Sequence, residues 1–179
     1  MKSDRRTNGK SLKFNAVIET PKGSRNKFDF VPSERMFMLG KQLPAGAVFP
    51  YDFGFIPGTI GGDGDPLDVI VLLDTPTFPG CLVEVRVVGV IEAEQSSKEG
   101  MVRNPRFIGI ATKSVEHADV RYASDLPPTI IEDIEHFFVG YNQGTGKEFR
   151  ITGRGGRRKA ASMIRAARRA KPRGRKGDS

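Results

Sequence analysis

The chain has 179 residues, enough for one compact domain with short tails and a real apolar core. Its net charge of +8 is unevenly placed: Arg154 to Lys176 holds 11 Lys and Arg and no acid, whereas residues 14–153 hold 13 basic against 19 acidic residues. No apolar run exceeds five residues, which excludes a transmembrane helix; the basic N-terminus is followed by no apolar segment, which excludes a secretory signal; and the single Cys81 excludes an internal disulfide. These features predict a cytoplasmic protein with no membrane association. It divides into a basic arm (1–13), a core domain (14–153), and a basic C-terminal helix and tail (154–179).

Taken in chain order, Phe14 to Glu19 is predicted as a strand, and Asn26 to Val31 with Glu34 to Leu39 as a hairpin about Pro32-Ser33. Val69 to Leu73 is a strand-like apolar run. Leu82 to Ile91 alternates, with Val83, Val85 and Val87 on one face and Glu84 and Arg86 on the other. Phe107 to Ala111 and Glu148 to Thr152 are shorter strands. Pro127-Pro128 opens a helix through Phe138, with Ile130, Ile131, Ile134, Phe137 and Phe138 at helical spacing and Gly140 as its stop. Arg157 to Ala170 forms a second helix whose narrow apolar stripe is Ala160, Met163, Ile164 and Ala167. Many short strands with few helices predict a mainly β fold, a closed barrel with helices packed outside it.

Chemistry concentrates in Asp63-Gly64-Asp65-Pro66-Leu67-Asp68, three carboxylates within six residues at the entrance of the apolar run. Carboxylates this close repel one another unless a cation or proton lies between them, and hard divalent ions with oxygen ligands, Mg²⁺ above all, suit them. The competing reading is an acidic surface turn cornered at Pro66. The third Asp at the strand entrance, and the aromatic residues and glycines before it, favour the metal.

With Phe49-Pro50-Tyr51-Asp52-Phe53-Gly54-Phe55 in front of it, this stretch resembles the signature of the soluble family I inorganic pyrophosphatases, D-G-D-P-apolar-D after Y-P-x-x-Y-G-[FY]. The resemblance implies a five-stranded OB-like barrel with two flanking helices. It also implies Mg²⁺-dependent hydrolysis of inorganic pyrophosphate to two phosphates by an Asp-activated, metal-bound water, in a homo-oligomer of hexamer type. Carried over, Asp63 and Asp68 are metal ligands, Asp65 is the general base that also faces the metals, and Glu19 supports an outer metal. A solvent-facing strand end is the other reading of Glu19. Lys27, in a Lys-aromatic-acid pattern with Asp29, contacts phosphate. Lys41 stands where the family usually has Arg and would act as a point charge. Tyr141 is the phosphate-facing tyrosine, and the Lys that normally follows it is Asn142, so that contact is lost.

Other positions depart from the family. Phe49 and Phe53 replace tyrosines and remove two hydroxyls. The second acidic loop, roughly D-x-x-x-x-D-x-K, falls in Glu92 to Arg106, where Gln95 and Asn104 match the two aspartates and Arg106 the substrate-binding lysine. Both amides can still offer a neutral oxygen to a metal, and in a shifted register Glu94 or Glu99 would take their place. Three functions follow: the hydrolase; a weakened or retuned relative that binds phosphate compounds; and an OB-like nucleic-acid-binding module using its basic ends. The acidic cluster argues against the last, since it repels phosphates unless metals intervene. The basic tail suits weak polyanion contact without base stacking, because no aromatic residue is interleaved. His117 and His136 read as non-catalytic, His136 as an oligomer contact, Cys81 as a small buried residue, and Gly144-Thr145-Gly146-Lys147 as a turn.

Overall fold

A computed structural model describes residues 12–170, so residues 1–11 of the basic arm and Lys171, Arg173, Arg175 and Lys176 of the tail lie outside the described residues. In chain order the strands are β1 (Lys13–Thr20), β2 (Asn26–Val31), β3 (Met36–Gln42), β4 (Asp52–Ile56), β5 (Leu67–Leu72), β6 (Leu82–Ser97), β7 (Gly100–Arg103), β8 (Arg106–Ala111) and β9 (Phe149–Gly156). The helices are α1 (Pro128–Gln143) and α2 (Arg157–Arg169).

Alternation in β1 buries Phe14, Ala16, Ile18 and Thr20 and exposes Lys13 and Asn15, which fixes the face it turns inward. From there the ring closes: β1 pairs with β4, β4 with β5, β5 with β8 in parallel, β8 with β6, and β6 with β1. Five strands therefore form the OB-like barrel. The remaining two of this sheet, β7 and β9, pair with β6, whose 16 residues reach beyond the ring. Closure needs a close approach at Gly54, where a Cβ would lie 1.9 Å from the Val17 carbonyl oxygen. The hairpin β2–β3 stands apart as a two-stranded sheet.

The core has two parts. Residues from all five ring strands, among them Phe14, Ile18, Ile56, Val71, Val85 and Phe107, fill the barrel, where Ala160, Ala161 and Ile164 of α2 join them. On the outer face Ile70, Leu72, Ile108 and Ile110 pack with Phe49, Phe53 and α1 residues Ile131, Ile134 and Phe138. Apolar residues of β5 thus serve both cores, which explains its continuous apolar run. Each fully buried Ile of this kind contributes about 2 kcal/mol relative to exposure. Cys81 is half-buried at the edge of the first core. Among the described residues no helix is long and apolar enough to cross a membrane.

Several expected boundaries shift. The β2–β3 turn takes Pro32 to Arg35, so β3 starts at Met36 and runs to Gln42, carrying Lys41 inside the strand. Helix α1 passes through Gly140 to Gln143; a mid-helix glycine costs about 1 kcal/mol, and the turn beyond it packs Tyr141 against the second core and buries Asn142, whose amide donates to the Phe138 carbonyl at 2.8 Å. Residues 92–103, expected as a loop, are instead the outer end of β6 and the return strand β7. Strand β9 runs across the boundary expected at Gly153. The C-terminal helix α2 also reaches the acidic segment directly, because the Ile60 N–H donates to the Ala167 carbonyl at 3.1 Å.

Candidate active site

The acidic segment is held at both ends. Thr59, buried, donates to the Ile56 carbonyl at 2.6 Å, and its Oγ1 accepts the Leu67 N–H at 3.0 Å, pinching the loop closed. Between these clamps the Gly61 N–H donates to the Asp65 carbonyl at 2.7 Å, and the Asp65 N–H donates to Asp63 Oδ1 at 3.1 Å. Gly64 has φ +90°, a left-handed conformation that residues with a Cβ rarely adopt. Asp63 and Asp65 thus turn to the same side, exposed, while Asp68 enters β5 and is half-buried.

These three carboxylates line a cleft of about 920 Å³ together with Glu19, Lys27, Lys41, Gln95, Asn104, Arg106 and Tyr141, so every residue expected at the site opens onto one cavity. Its electrostatics are uneven. Burial and the charge of Asp63 raise the Asp65 carboxyl above the usual range. Burial raises Asp68 as well, with Asp63 and Asp65 adding to it and Arg106 opposing. Glu19, at the end of β1, accepts the Phe30 N–H at 2.9 Å; burial still pushes it up to about 7, and Asp68 and Asp29 also raise it.

The opposite wall is cationic. Lys27 on β2 and Lys41 on β3 are direct cross-strand partners, a like-charge pair that is unfavourable unless an anion joins it. Asp29 is ion-paired with Lys27 and compensates only in part. Burial lowers Lys41, and Lys27 and Lys147 lower it further. Its Nζ lies 3.8 Å from the centroid of the Tyr141 ring, a cation–π contact that aims the ammonium at the cleft.

The third side is neutral. Gln95 and Asn104 are adjacent as expected, but both side-chain oxygens are engaged: Gln95 Oε1 accepts from Asn104 Nδ2 at 2.8 Å, and Asn104 Oδ1 accepts from the Arg106 guanidinium. Glu94 turns away to Arg150 at 2.8 Å, and Glu99 sits exposed in the β6–β7 turn; neither lines the cleft.

Sequence reasoning passed over several contributors. Lys98 and Lys147 line the cleft, Lys147 from the turn after α1. The residue that replaces the family's lysine, Asn142, is buried and donates to the Phe138 carbonyl at 2.8 Å. Asp52, fully buried, accepts from the Lys22 N–H and from both the N–H and hydroxyl of Thr77, at 2.6–3.0 Å, and so braces β4. The run of aromatics could have announced the wall formed by Phe49, Phe53 and Phe138; nothing in the local sequence announces Thr59. His136 is exposed on α1, His117 is half-buried, and neither lines the cleft.

The donor set fits a hard divalent cation on the Asp63, Asp65 and Asp68 side, where burial and neighbouring carboxylates raise Asp65 and Asp68. Among the described residues no three of these side chains close on one point, so cation binding there requires rotamer adjustment. The amide side does not fit one, since the Arg106 guanidinium already lies between Asn104 Oδ1 and the Asp68 carboxylate and brings a positive charge there.

Comparison with known proteins points the same way. The family profile described as inorganic pyrophosphatase matches residues 16–171. The chain is 35% identical over 149 residues to the inorganic pyrophosphatase of Geobacillus stearothermophilus, covering 83% of this chain and 88% of the relative. It is 37% identical over 153 residues to that of Thermus thermophilus, covering 84% and 85%. The crystal structure of the Thermus thermophilus inorganic pyrophosphatase superposes with a TM-score of 0.80 at 33% identity, covering 90% of this chain and 92% of that one. With an acidic wall facing lysines across one cleft, and likeness over most of its length, this chain belongs to the inorganic pyrophosphatase family.

Proposed function

We propose that this protein hydrolyses inorganic pyrophosphate to two phosphates with Mg²⁺ as cofactor. The observation that carries the reading is the confrontation of Asp63, Asp65 and Asp68 with the facing lysines Lys27 and Lys41 in a single cleft. Acids alone would repel pyrophosphate, and lysines alone would only bind it. When bound on the aspartate side, Mg²⁺ supplies charge neutralisation and polarises the phosphoryl oxygens. Lys27 and Lys41 hold oxygens on the opposite wall, with Lys147 and the Tyr141 hydroxyl at its edge. Asp65, whose carboxyl burial and Asp63 hold above the usual range, takes the proton of the attacking water, while Asp63 and Asp68 set the cation's position and Glu19 supports it. The same reading makes the protein cytoplasmic and homo-oligomeric, with weak polyanion contact through its basic C-terminal tail.

The neutral side supports a second reading, a relative that binds phosphate compounds with weak turnover. ³¹P NMR of pyrophosphate with pure protein and Mg²⁺, beside parallel samples of ATP and polyphosphate, separates the two. Conversion of pyrophosphate to phosphate far above the uncatalysed rate is expected. Line broadening of the pyrophosphate signal without conversion would favour the binding protein.

A further inference from the structure

Arg106 was expected to hold substrate, and the structure gives it a different set of contacts. It is 5% exposed, the first residue of β8, and the direct neighbour of Asp68 on β5. One guanidinium nitrogen, Nη1, lies 2.6 Å from Asp68 Oδ2 and within hydrogen-bond reach of Asn104 Oδ1, of the Asn104 carbonyl at 3.1 Å and of the Pro105 carbonyl at 3.4 Å. The guanidinium carbon lies 4.8 Å from the Phe138 ring centroid and 5.0 Å from that of Phe149, with Phe53 at 5.9 Å. Buried Nε has no partner among the described residues. Apolar rings that desolvate the group, and a full set of acceptors at one end, fix it in place rather than leaving it to swing toward a ligand.

Charge around this point is consistent with that placement. Asp68 faces Asp63, Asp65 and Lys27 as well as Arg106, and Gln95 and Asn104 bring no charge. A divalent ion between Asp68 and the amide pair would sit against a buried cation, with both amide oxygens already engaged. We propose that Arg106 is a resident cation: it occupies the space between Asp68 and the Gln95–Asn104 pair, excludes a divalent ion from that side of the cleft, and fixes the orientation of the Asp68 carboxylate through its direct contact. This rests on the reading of the cleft as a divalent-cation site. Within it, Arg106 is a positioning residue acting through Asp68, and the amides are partners suited to a guanidinium, since an aspartate at 104 would over-neutralise it.

The test counts Mn²⁺ bound by full-length protein without substrate, from the electron paramagnetic resonance of free Mn²⁺. Asn104→Asp alone is expected to add no ion, because the new carboxylate pairs with Arg106. Asn104→Asp with Arg106→Gln is expected to add one ion. The first arm keeps the arginine and so stands even where loss of the buried guanidinium unfolds the chain, which circular dichroism reports. An extra ion in Asn104→Asp alone, or none in the folded double variant, would overturn the inference. Wild-type protein that binds no Mn²⁺ would contradict the cation reading of the cleft and this inference with it.

Discussion

Glu19 offers a quantitative check on the cleft's electrostatics that is independent of catalysis. Its carboxyl rises from 4.5 to about 7, chiefly through burial, with a backbone hydrogen bond from Phe30 and the charge of Lys27 opposing. Between those two pH values the metal-free folded state holds more protons at this site than the unfolded state. The stability linked to Glu19 is therefore complete below about pH 4.5, declines as pH rises through 7, and is level above. At about 1.4 kcal/mol per pKa unit the whole shift sets an upper bound of about 3 kcal/mol, and partial solvent access reduces this to about 1–3 kcal/mol. Glu19→Gln keeps an oxygen for the Phe30 N–H and removes the ionisation. In EDTA, urea unfolding should give equal stabilities for variant and wild type near pH 4.5 and a variant more stable by about 1–3 kcal/mol at pH 8. Asp65, which is not among the groups shifting Glu19, titrates in both proteins and cancels in the difference, while the coupling of Glu19 to Asp68 is part of the effect read. Identical pH profiles for the two, or a wild type more stable at pH 8, would refute the reasoning.

Three further perturbations separate chemistry from folding. Asp65→Asn should lower pyrophosphate turnover by roughly 10²–10⁴-fold with the metal-free melting temperature equal or slightly higher, because an amide cannot take the proton of water and no longer repels Asp63; retained activity removes Asp65 from that role. Lys41→Gln should weaken pyrophosphate binding while leaving metal-free stability equal or a few tenths of a kcal/mol higher, since it relieves repulsion with Lys27; urea unfolding beside a KM measurement reads both. Removal of residues 171–179 takes away Lys171, Arg173, Arg175 and Lys176 and should leave turnover intact while flattening the salt dependence of nonspecific DNA binding. Loss of turnover in a folded truncation would place the tail at the site.

Much of this arrangement was legible in the chain because it is local. The run from Asp63 to Asp68 names its own chemistry, and alternation in Phe14 to Glu19 and Leu82 to Ile91 gives strands that the structure extends by a few residues. Motif register put Gln95 and Asn104 in one half of the site, and their side chains are hydrogen-bonded at 2.8 Å. What was not legible depends on distant partners. Strand β4 carries a glycine and three aromatic or aliphatic neighbours without alternation, and only its place between β1 and β5 makes it a strand. Gly140 reads as a helix stop until Asn142 is seen buried beneath it. The surroundings of Arg106 were not legible either, because sequence cannot show that Phe53, Phe138 and Phe149, drawn from three separate elements, pack around it. Lys147 sits in a turn whose glycines concealed its approach to the cleft.

The account stands most directly on a crystal soaked with Mn²⁺ and a non-hydrolysable pyrophosphate analogue, with anomalous scattering used to place the metal. It expects manganese among Asp63, Asp65 and Asp68, phosphate oxygens against Lys27 and Lys41, and the Arg106 guanidinium still bridging Asp68 and Asn104. Manganese lying between Gln95 and Asn104, with Arg106 swung away onto phosphate, would contradict it.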